Sequence, residues 1–338
     1  MSRRRSLLAA GLAGMAAAVL PGAGFAQAKP ARPLRIYMIL YRGETDVEKG
    51  FRDYFASRNV AVELLVRDVA QDVTRVPAFV AEARALQVDL ITTWGTPVTL
   101  AVVGKSNAVD PTRHVTTIPV VFTMVASPQG AGLVGANGFS GRNITGASHV
   151  VPIDQQLGAI RAYRAFKRLA VLFNPGEPNS VRIVKELRDA SERDGFTLLE
   201  QAIPLDDQKK PVEAALPSLI EKIARLKPEF LYLGPDSFIG ANRKVITETA
   251  LQHHLPAFSA TEIMLREGRA LFGLVSRYEN VGRLTAYKVE QILVGKMRPQ
   301  EIAVETLARF SYIVNMSVAT ELDLYPSLKV VNFAEVIR

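Results

Sequence analysis

Cysteine is absent from all 338 residues of the chain. That absence excludes disulfides, a thiol nucleophile, a cysteine-bound metal and the lipid-modified cysteine of a lipoprotein. Clustered basic charge is missing as well. The formal charge is +8, from 41 Lys and Arg against 33 Asp and Glu, yet beyond Arg3-Arg4-Arg5 no basic run is longer than a pair such as Lys209-Lys210. Nucleic-acid binding calls for a basic stripe, so no nucleic-acid partner is expected. The four histidines, His114, His149, His253 and His254, lack metal-ligand spacing. No G-x-S-x-G elbow, Walker loop or H-E-x-x-H helix is present. No catalytic residue, metal or cofactor is therefore assigned. Tryptophan is reduced to one residue, Trp94, which reads as core.

A membrane-spanning run is also lacking. The apolar stretch Leu7–Leu20 has 14 residues, whereas a spanning helix takes about 20. It follows the basic Arg3-Arg4-Arg5 and precedes Pro21-Gly22 and the A-x-A site Ala26-Gln27-Ala28, the layout of a secretory signal peptide. Residues 1–28 are thus expected to be removed after Ala28, leaving Lys29 first and lowering the formal charge to +5. Ser2-Arg3-Arg4 with Leu7-Leu8 hints at twin-arginine export, while Ser6 and the missing Phe depart from it, so the route stays open. An exported chain with neither lipid anchor nor disulfide reads as a soluble periplasmic protein. Its roughly 310 mature residues suffice for two α/β lobes stabilised by core burial.

The body alternates short apolar runs with amphipathic stretches. Leu34–Tyr41, Val60–Val66, Val88–Thr93 and Pro119–Met124 read as strands, with helices over Asp46–Arg58, Val76–Leu86 and Pro97–Gly104 between them. The rhythm resumes with strands at Arg168–Phe173, Thr197–Ile203, Phe230–Leu233 and Ala257–Phe258, separated by helices including Ser180–Gly195 and Ser237–His253. Strand–helix repetition with continuous Ile/Val/Leu strands predicts doubly wound parallel sheets. Between Met124 and Gln155 the pattern gives no helix and a Gly/Ser/Asn-rich segment, which divides the chain into two lobes. Gly130–Gly135 spells G-x-G-x-x-G, but it does not open a helix after a first strand, so a dinucleotide site is not predicted.

Turn chemistry recurs at the carboxyl ends of these strands. Thr96-Pro97 reads as an N-cap followed by the first helical residue. Asn174-Pro175-Gly176 leads to Ser180, Asp236-Ser237 follows FLYL, and Ser259 with Thr261 follows the Ala257–Phe258 strand. In open α/β sheets ligands bind beyond this edge. Each turn is also explained as a simple cap, but four of them spread over two lobes describe a cleft.

IPVVFTMVASPQGAGLV (118–134), GRNITGAS (141–148), LAVLFNPGEPNSVRIVKELRDA (169–190), LYLGPDSFI (231–239) and YENVGRLTAYKVEQILVGKMRPQEIAVET (278–306) carry a resemblance. The chain resembles the ABC-transporter substrate-binding protein family, which includes tryptophan- and tyrosine-binding receptors. The resemblance implies a type I periplasmic binding protein fold with two lobes joined by three hinge crossovers. Lobe 1 would hold 33–147 plus 281–298, and lobe 2 would hold 148–275 plus 306–338. Thr96, Pro97, Asn174, Ser180 and Asp236 match family motif positions. Ser127 stands where Asp is commoner, and the turn at Arg42 departs from the usual His-Pro sequence. With Thr261, these form the expected ligand-binding set. Arg42 at a cleft edge favours an anionic group in the ligand, and Asp236 is the partner expected for an ammonium.

The expected role is capture of a small carboxylate-bearing solute, an amino acid or aromatic acid, by a monomer that delivers it to a membrane permease with a cytoplasmic ATPase. A ligand-sensing module feeding a signalling partner is the alternative. An exported hydrolase is disfavoured, since no nucleophile–base pair can be named.

Overall fold

The computed structural model describes residues 32–338. The expected signal peptide and its cleavage site lie outside the described residues. Two sheets organise the rest. The first is built from β1 (Leu34–Leu40), β2 (Val62–Asp68), β3 (Leu90–Trp94), β4 (Val120–Thr123) and β5 (Ile144–Gly146), in the order β2-β1-β3-β4-β5. All four of its pairings are parallel. The helices α1 (Asp46–Ser57), α2 (Val76–Ala85) and α3 (Thr96–Val103) connect its strands. β1 and β3 read LRIYMIL and LITTW, and nearly every side chain in them is buried, as a strand covered on both faces requires.

The second sheet follows α4 (Ile153–Tyr163) and comprises β6 (Arg168–Phe173), β7 (Thr197–Ala202), β8 (Phe230–Leu233), β9 (Ala257–Ser259), β10 (Phe272–Val275), β11 (Ser311–Asn315) and β12 (Glu335–Ile337). Its order is β12-β11-β10-β9-β8-β6-β7. The intervening helices are α5 (Pro178–Asp194), α6 (Leu216–Arg225), α7 (Ser237–Ala241), α8 (Arg243–Gln252), α9 (Ile263–Arg266), α10 (Tyr278–Leu293), α11 (Met316–Glu321) and α12 (Leu328–Val331). Only β10 and β11 pair antiparallel, because the chain leaves the sheet after β10 and returns from the far side.

That excursion is α10, which packs against α1 of the first lobe. The two helices approach through glycines. A Cβ on Gly50 would lie 2.0 Å from the carbonyl oxygen of Glu279, and one on Gly282 would lie 2.0 Å from that of Val47. The chain therefore passes between the sheets three times, after β5, between β10 and α10, and between α10 and β11. Two of these passages are tied together. Ala147 bridges to Glu305, and the Ser148 N–H donates to the Glu305 carbonyl at 2.8 Å. Lys288 of α10, with its side chain buried, donates from Nζ to the Glu305 carboxylate and to the Ala303 carbonyl, both at 2.7 Å.

Four sequence expectations are corrected. Residues 144–146 form an unanticipated strand inside the Gly/Ser/Asn-rich segment, and Glu335–Ile337 form an unanticipated edge strand. Three residues are too few to display a period. The expected helix Ser237–His253 is two helices that meet at Asn242, where the backbone leaves the helical region (φ −96°, ψ 22°) and the side-chain amide joins the backbone N–H on the Phe238 carbonyl at 3.0 Å. Thr96 is not the N-cap of α3. That position is Gly95 at φ +85°, a left-handed conformation suited to glycine, and Thr96 and Pro97 are the first two helical residues. The Gly130–Gly135 segment forms successive turns and opens no helix.

Because the Gly50 Cβ would meet backbone rather than a yielding side chain, Gly50→Ala should cost at least the ~1–3 kcal/mol typical of overpacking. Denaturant unfolding measures this, and an unchanged midpoint would contradict the described α1–α10 contact.

A candidate solute cavity between the two sheet edges

Parallel pairing puts the carboxyl ends of β1, β3 and β4 on one edge and those of β6, β8 and β9 on another, and one cavity draws on all six. From the first lobe it takes Arg42, Trp94, Met124 and Ala126. From the second it takes Glu177 and Asn179 after β6, Pro235, Asp236, Ser237 and Gly240 after β8, and Thr261 and Ile263 after β9. His149 and Tyr278 come from two of the crossovers. The space among these residues is about 320 Å³, part of it open to solvent.

Each acidic residue is placed by its turn. Asn174 Oδ1 accepts from the Gly176 N–H at 2.9 Å, and Ser180 Oγ accepts from the Asn174 N–H at 3.1 Å. This closes the NPGEPNS turn and sets Glu177 just ahead of α5. The buried Glu177 carboxylate accepts from the Ser237 N–H at 2.9 Å and the Ser237 hydroxyl at 3.0 Å, which links the turn after β6 to the turn after β8. Asp236 caps α7, with Oδ1 accepting from the Ile239 N–H at 2.9 Å. Its Oδ2 is buried without a hydrogen-bond partner, as is Asn179 Oδ1. Across the cavity, Arg42 Nε and Trp94 Nε1 are buried donors without acceptors. The Arg42 guanidinium lies over the Trp94 ring, 4.6 Å from its centroid.

Burial dominates the titration of the site. It raises the Glu177 carboxyl from its ordinary 4.5 to about 8, with the Asp236 charge adding to the effect. Burial likewise pushes Asp236 upward, against the stabilising N–H of Ile239. His149 is held neutral, lowered to about 3 by burial and then by the Arg42 charge. Tyr278 is raised to about 12 by burial. Its backbone N–H donates to Glu262 Oε2 at 2.6 Å, and Glu262 also pairs with Arg277 Nε at 2.8 Å and Arg266 Nε at 2.5 Å. A buried carboxylate thus pins the passage into α10 against the second lobe.

Of the residues expected at the site, Arg42, Asp236 and Thr261 line this cavity. Thr96, Pro97, Asn174, Ser180 and Ser127 are not among its lining residues. Thr96 is buried within the first turn of α3, while Asn174 and Ser180 close the turn that sets Glu177 and also favour the ionised form of Asp236, Ser180 through its side chain and Asn174 through its backbone. Ser127 Oγ accepts from the Gly130 N–H at 3.2 Å and lines a separate groove that includes Arg182. Glu177, Asn179, His149, Ser237 and Tyr278 were not anticipated. Trp94, expected in the core, is buried but faces the cavity.

A family model described as ABC transporter substrate binding protein matches residues 61–336. The chain belongs to that family. A tyrosine-binding protein of Clostridioides difficile (strain R20291) is 27% identical over 208 residues, 61% of this chain and 57% of that relative, so the match spans less than two thirds of the relative's length. Among solved structures, a conserved domain protein of Vibrio cholerae O1 biovar El Tor has a TM-score of 0.79 at 22% identity, covering 91% of this chain and all of that one. An ABC domain from Streptococcus pneumonia in complex with L-Trp has a TM-score of 0.77 at 21% identity, covering 90% of this chain and all of its own. At such identities the likeness establishes the shared fold, two parallel-sheet lobes of the type I periplasmic binding protein kind. Among the described residues no helix is long and apolar enough to cross a membrane.

The raised Glu177 carboxyl makes stability pH-dependent with a definite sign. The folded chain holds this proton up to about pH 8, whereas the unfolded chain releases it near 4.5. The group's contribution is whole below 4.5 and is lost as pH rises toward 8. Glu177→Gln, which cannot ionise, should therefore gain thermal stability relative to the parent across that window. Parallel melting curves for the two proteins over the same pH range would contradict the assignment.

Proposed function

We propose that this family member is the solute-capturing component of an ABC importer and that the interlobe cavity takes a small carboxylate-bearing solute, an α-amino acid first. One observation carries the reading. Unpaired buried acceptors, Asp236 Oδ2 and Asn179 Oδ1, stand on one lobe, and unpaired buried donors, Arg42 Nε and Trp94 Nε1, on the other. Buried polar groups of this kind are normally bonded. An ammonium satisfies the first pair and a carboxylate the second, with the guanidinium suited to carboxylate geometry. The tyrosine-binding relative and the L-Trp complex of the pneumococcal neighbour support an amino acid, and both amino acids in question are aromatic.

In this reading Thr261 and Ser237 complete the polar wall. Thr96, Pro97, Asn174, Ser180 and Ser127 act from behind, as supports of the turns. The protein captures its solute without transforming it. It works as a monomer in the periplasm, freed of residues 1–28, and presents the closed form to a permease coupled to a cytoplasmic ATPase. Lobes 33–147 plus 281–298 and 148–275 plus 306–338 close on each other as rigid bodies, with the three crossovers absorbing the dihedral change.

Thermal-shift screening of amino acids, aromatic acids, sugars and polyamines tests the solute class. A binder present at 100 times its Kd should add roughly 2.7 kcal/mol of stability, and a response to neutral sugars alone would overturn the carboxylate reading. For the amino acid so found, Asp236→Ala should lower calorimetric affinity about 30-fold to several-thousand-fold, the ~2–5 kcal/mol lost when one member of a buried charge pair is removed. The same variant loses the α7 cap at about 1 kcal/mol of folding stability. Lost stability with intact affinity would leave Asp236 as a cap alone.

A further inference from the structure

Arg42 follows the buried strand β1 by two residues, so its backbone is set by the first lobe while its head group reaches the second. The guanidinium lies 4.6 Å from the Trp94 ring centroid, within cation–π range. Its Nη1 donates to the Ser237 carbonyl at 3.5 Å. The second lobe is shaped for it. A Cβ on Gly240 would lie 3.1 Å from Nη2 and 3.3 Å from both Cζ and Nη1 of Arg42, closer than ordinary packing permits. Of the titratable groups lining this cavity, Glu177 and Asp236 are acidic, His149 is neutral, Tyr278 is a phenol, and Arg42 is the only arginine or lysine. The guanidinium thus stands in the space between the two sheet edges, touching Trp94 on one side and the Ser237–Gly240 turn on the other.

We propose that Arg42 is a tethered stand-in for the solute: the solute-free lobes close on the chain's own guanidinium, and an entering solute must first move it off Trp94. The inference rests on the reading of this cavity as the solute site, and it adds a competitor that the chain itself supplies. Apparent affinity is then the intrinsic affinity scaled by the fraction of molecules whose cavity is clear. Arg42 accordingly has two positions, stacked on Trp94 between the lobes in the empty protein and turned toward a carboxylate in the loaded one.

The test uses the full mature chain, freed of any co-purified solute, and needs no solute. Trp94 is the only tryptophan, so its fluorescence reports this cavity alone. Acrylamide quenching of Trp94 and the radius of gyration from small-angle scattering are compared for the parent, Arg42→Ala and Gly240→Ala. The proposal expects Arg42→Ala to raise the quenching constant several-fold and to enlarge the radius. Millimolar guanidinium, far below denaturing levels, should reverse both changes, and sodium at equal ionic strength should not. Gly240→Ala removes no charge and crowds the seat by a few tenths of an ångström, so it should move both readings the same way by a smaller amount. Near-UV circular dichroism checks that each variant is folded, and Gly240→Ala carries the test if Arg42→Ala is not. Folded variants in which Trp94 stays as protected as in the parent, with an unchanged radius and no guanidinium effect, would overturn the proposal. That result would leave the amino-acid reading standing, whereas a thermal screen without any responder would sink that reading and leave only the closure of the lobes on Arg42, no longer a stand-in for a solute.

Discussion

Two carboxyl groups buried on neighbouring turns repel each other and lose hydration together, so at least one must be neutral or matched by a cation. Glu177 and Asp236 are such a pair, and much of the second lobe's edge is arranged around them. Ser237 gives both its N–H and its hydroxyl to Glu177, while Ile239 gives its N–H to Asp236. The turn that carries Glu177 is closed by Asn174 and Ser180. What the second lobe does not supply is positive charge. Among the lining residues that comes from Arg42, on the other lobe. Electrostatic complementarity therefore runs across the gap, which makes the distance between the lobes part of the charge balance.

The crossovers show a different balance of forces. Glu262, buried, holds Arg277, Arg266 and the N–H of Tyr278, and buried Lys288 holds Glu305 and the Ala303 carbonyl. Both are buried charges with their partners in place, the condition under which such burial is tolerated. They anchor the ends of the passages between the lobes. The α1–α10 contact through Gly50 and Gly282 does the same for the excursion of the chain into the first lobe. The site thus sits between two firmly built bodies.

Sequence reading recovered the elements whose physics is local. LRIYMIL, RLAVLF and FLYL announce buried parallel strands by their unbroken apolar runs, and the two-lobed α/β fold followed from their alternation with helices. It failed where a short-range signal is absent or misleading. ITG and EVI are too brief for any period, and the change of backbone conformation at Asn242 leaves no mark on the apolar pattern. At the site, Arg42, Asp236 and Thr261 were legible as polar residues at strand ends. Glu177 was not, although it lies in the same quoted run as Asn174 and Ser180, because its meaning depends on Ser237, 60 residues on. Trp94 read as core because it is buried. Its second role comes from facing Arg42 across a gap between elements, which no one-dimensional pattern encodes. Asn174 and Ser180, read as contacts since a cap and a binding group use the same chemistry, stand behind the cavity and not on its wall, closing the Glu177 turn and supporting Asp236.

The most direct test of the account observes the indole of Trp94 itself. Its Nε1–H is buried without an acceptor, and as the only tryptophan it gives a single indole signal in a proton–nitrogen correlation spectrum of the mature chain. Addition of a mixture of the common amino acids should move that signal downfield as a carboxylate oxygen accepts from it, with the bound species in slow or intermediate exchange. An indole signal that stays in place while the same mixture raises the melting temperature would mean that the solute binds elsewhere, and the interlobe cavity would no longer be its site.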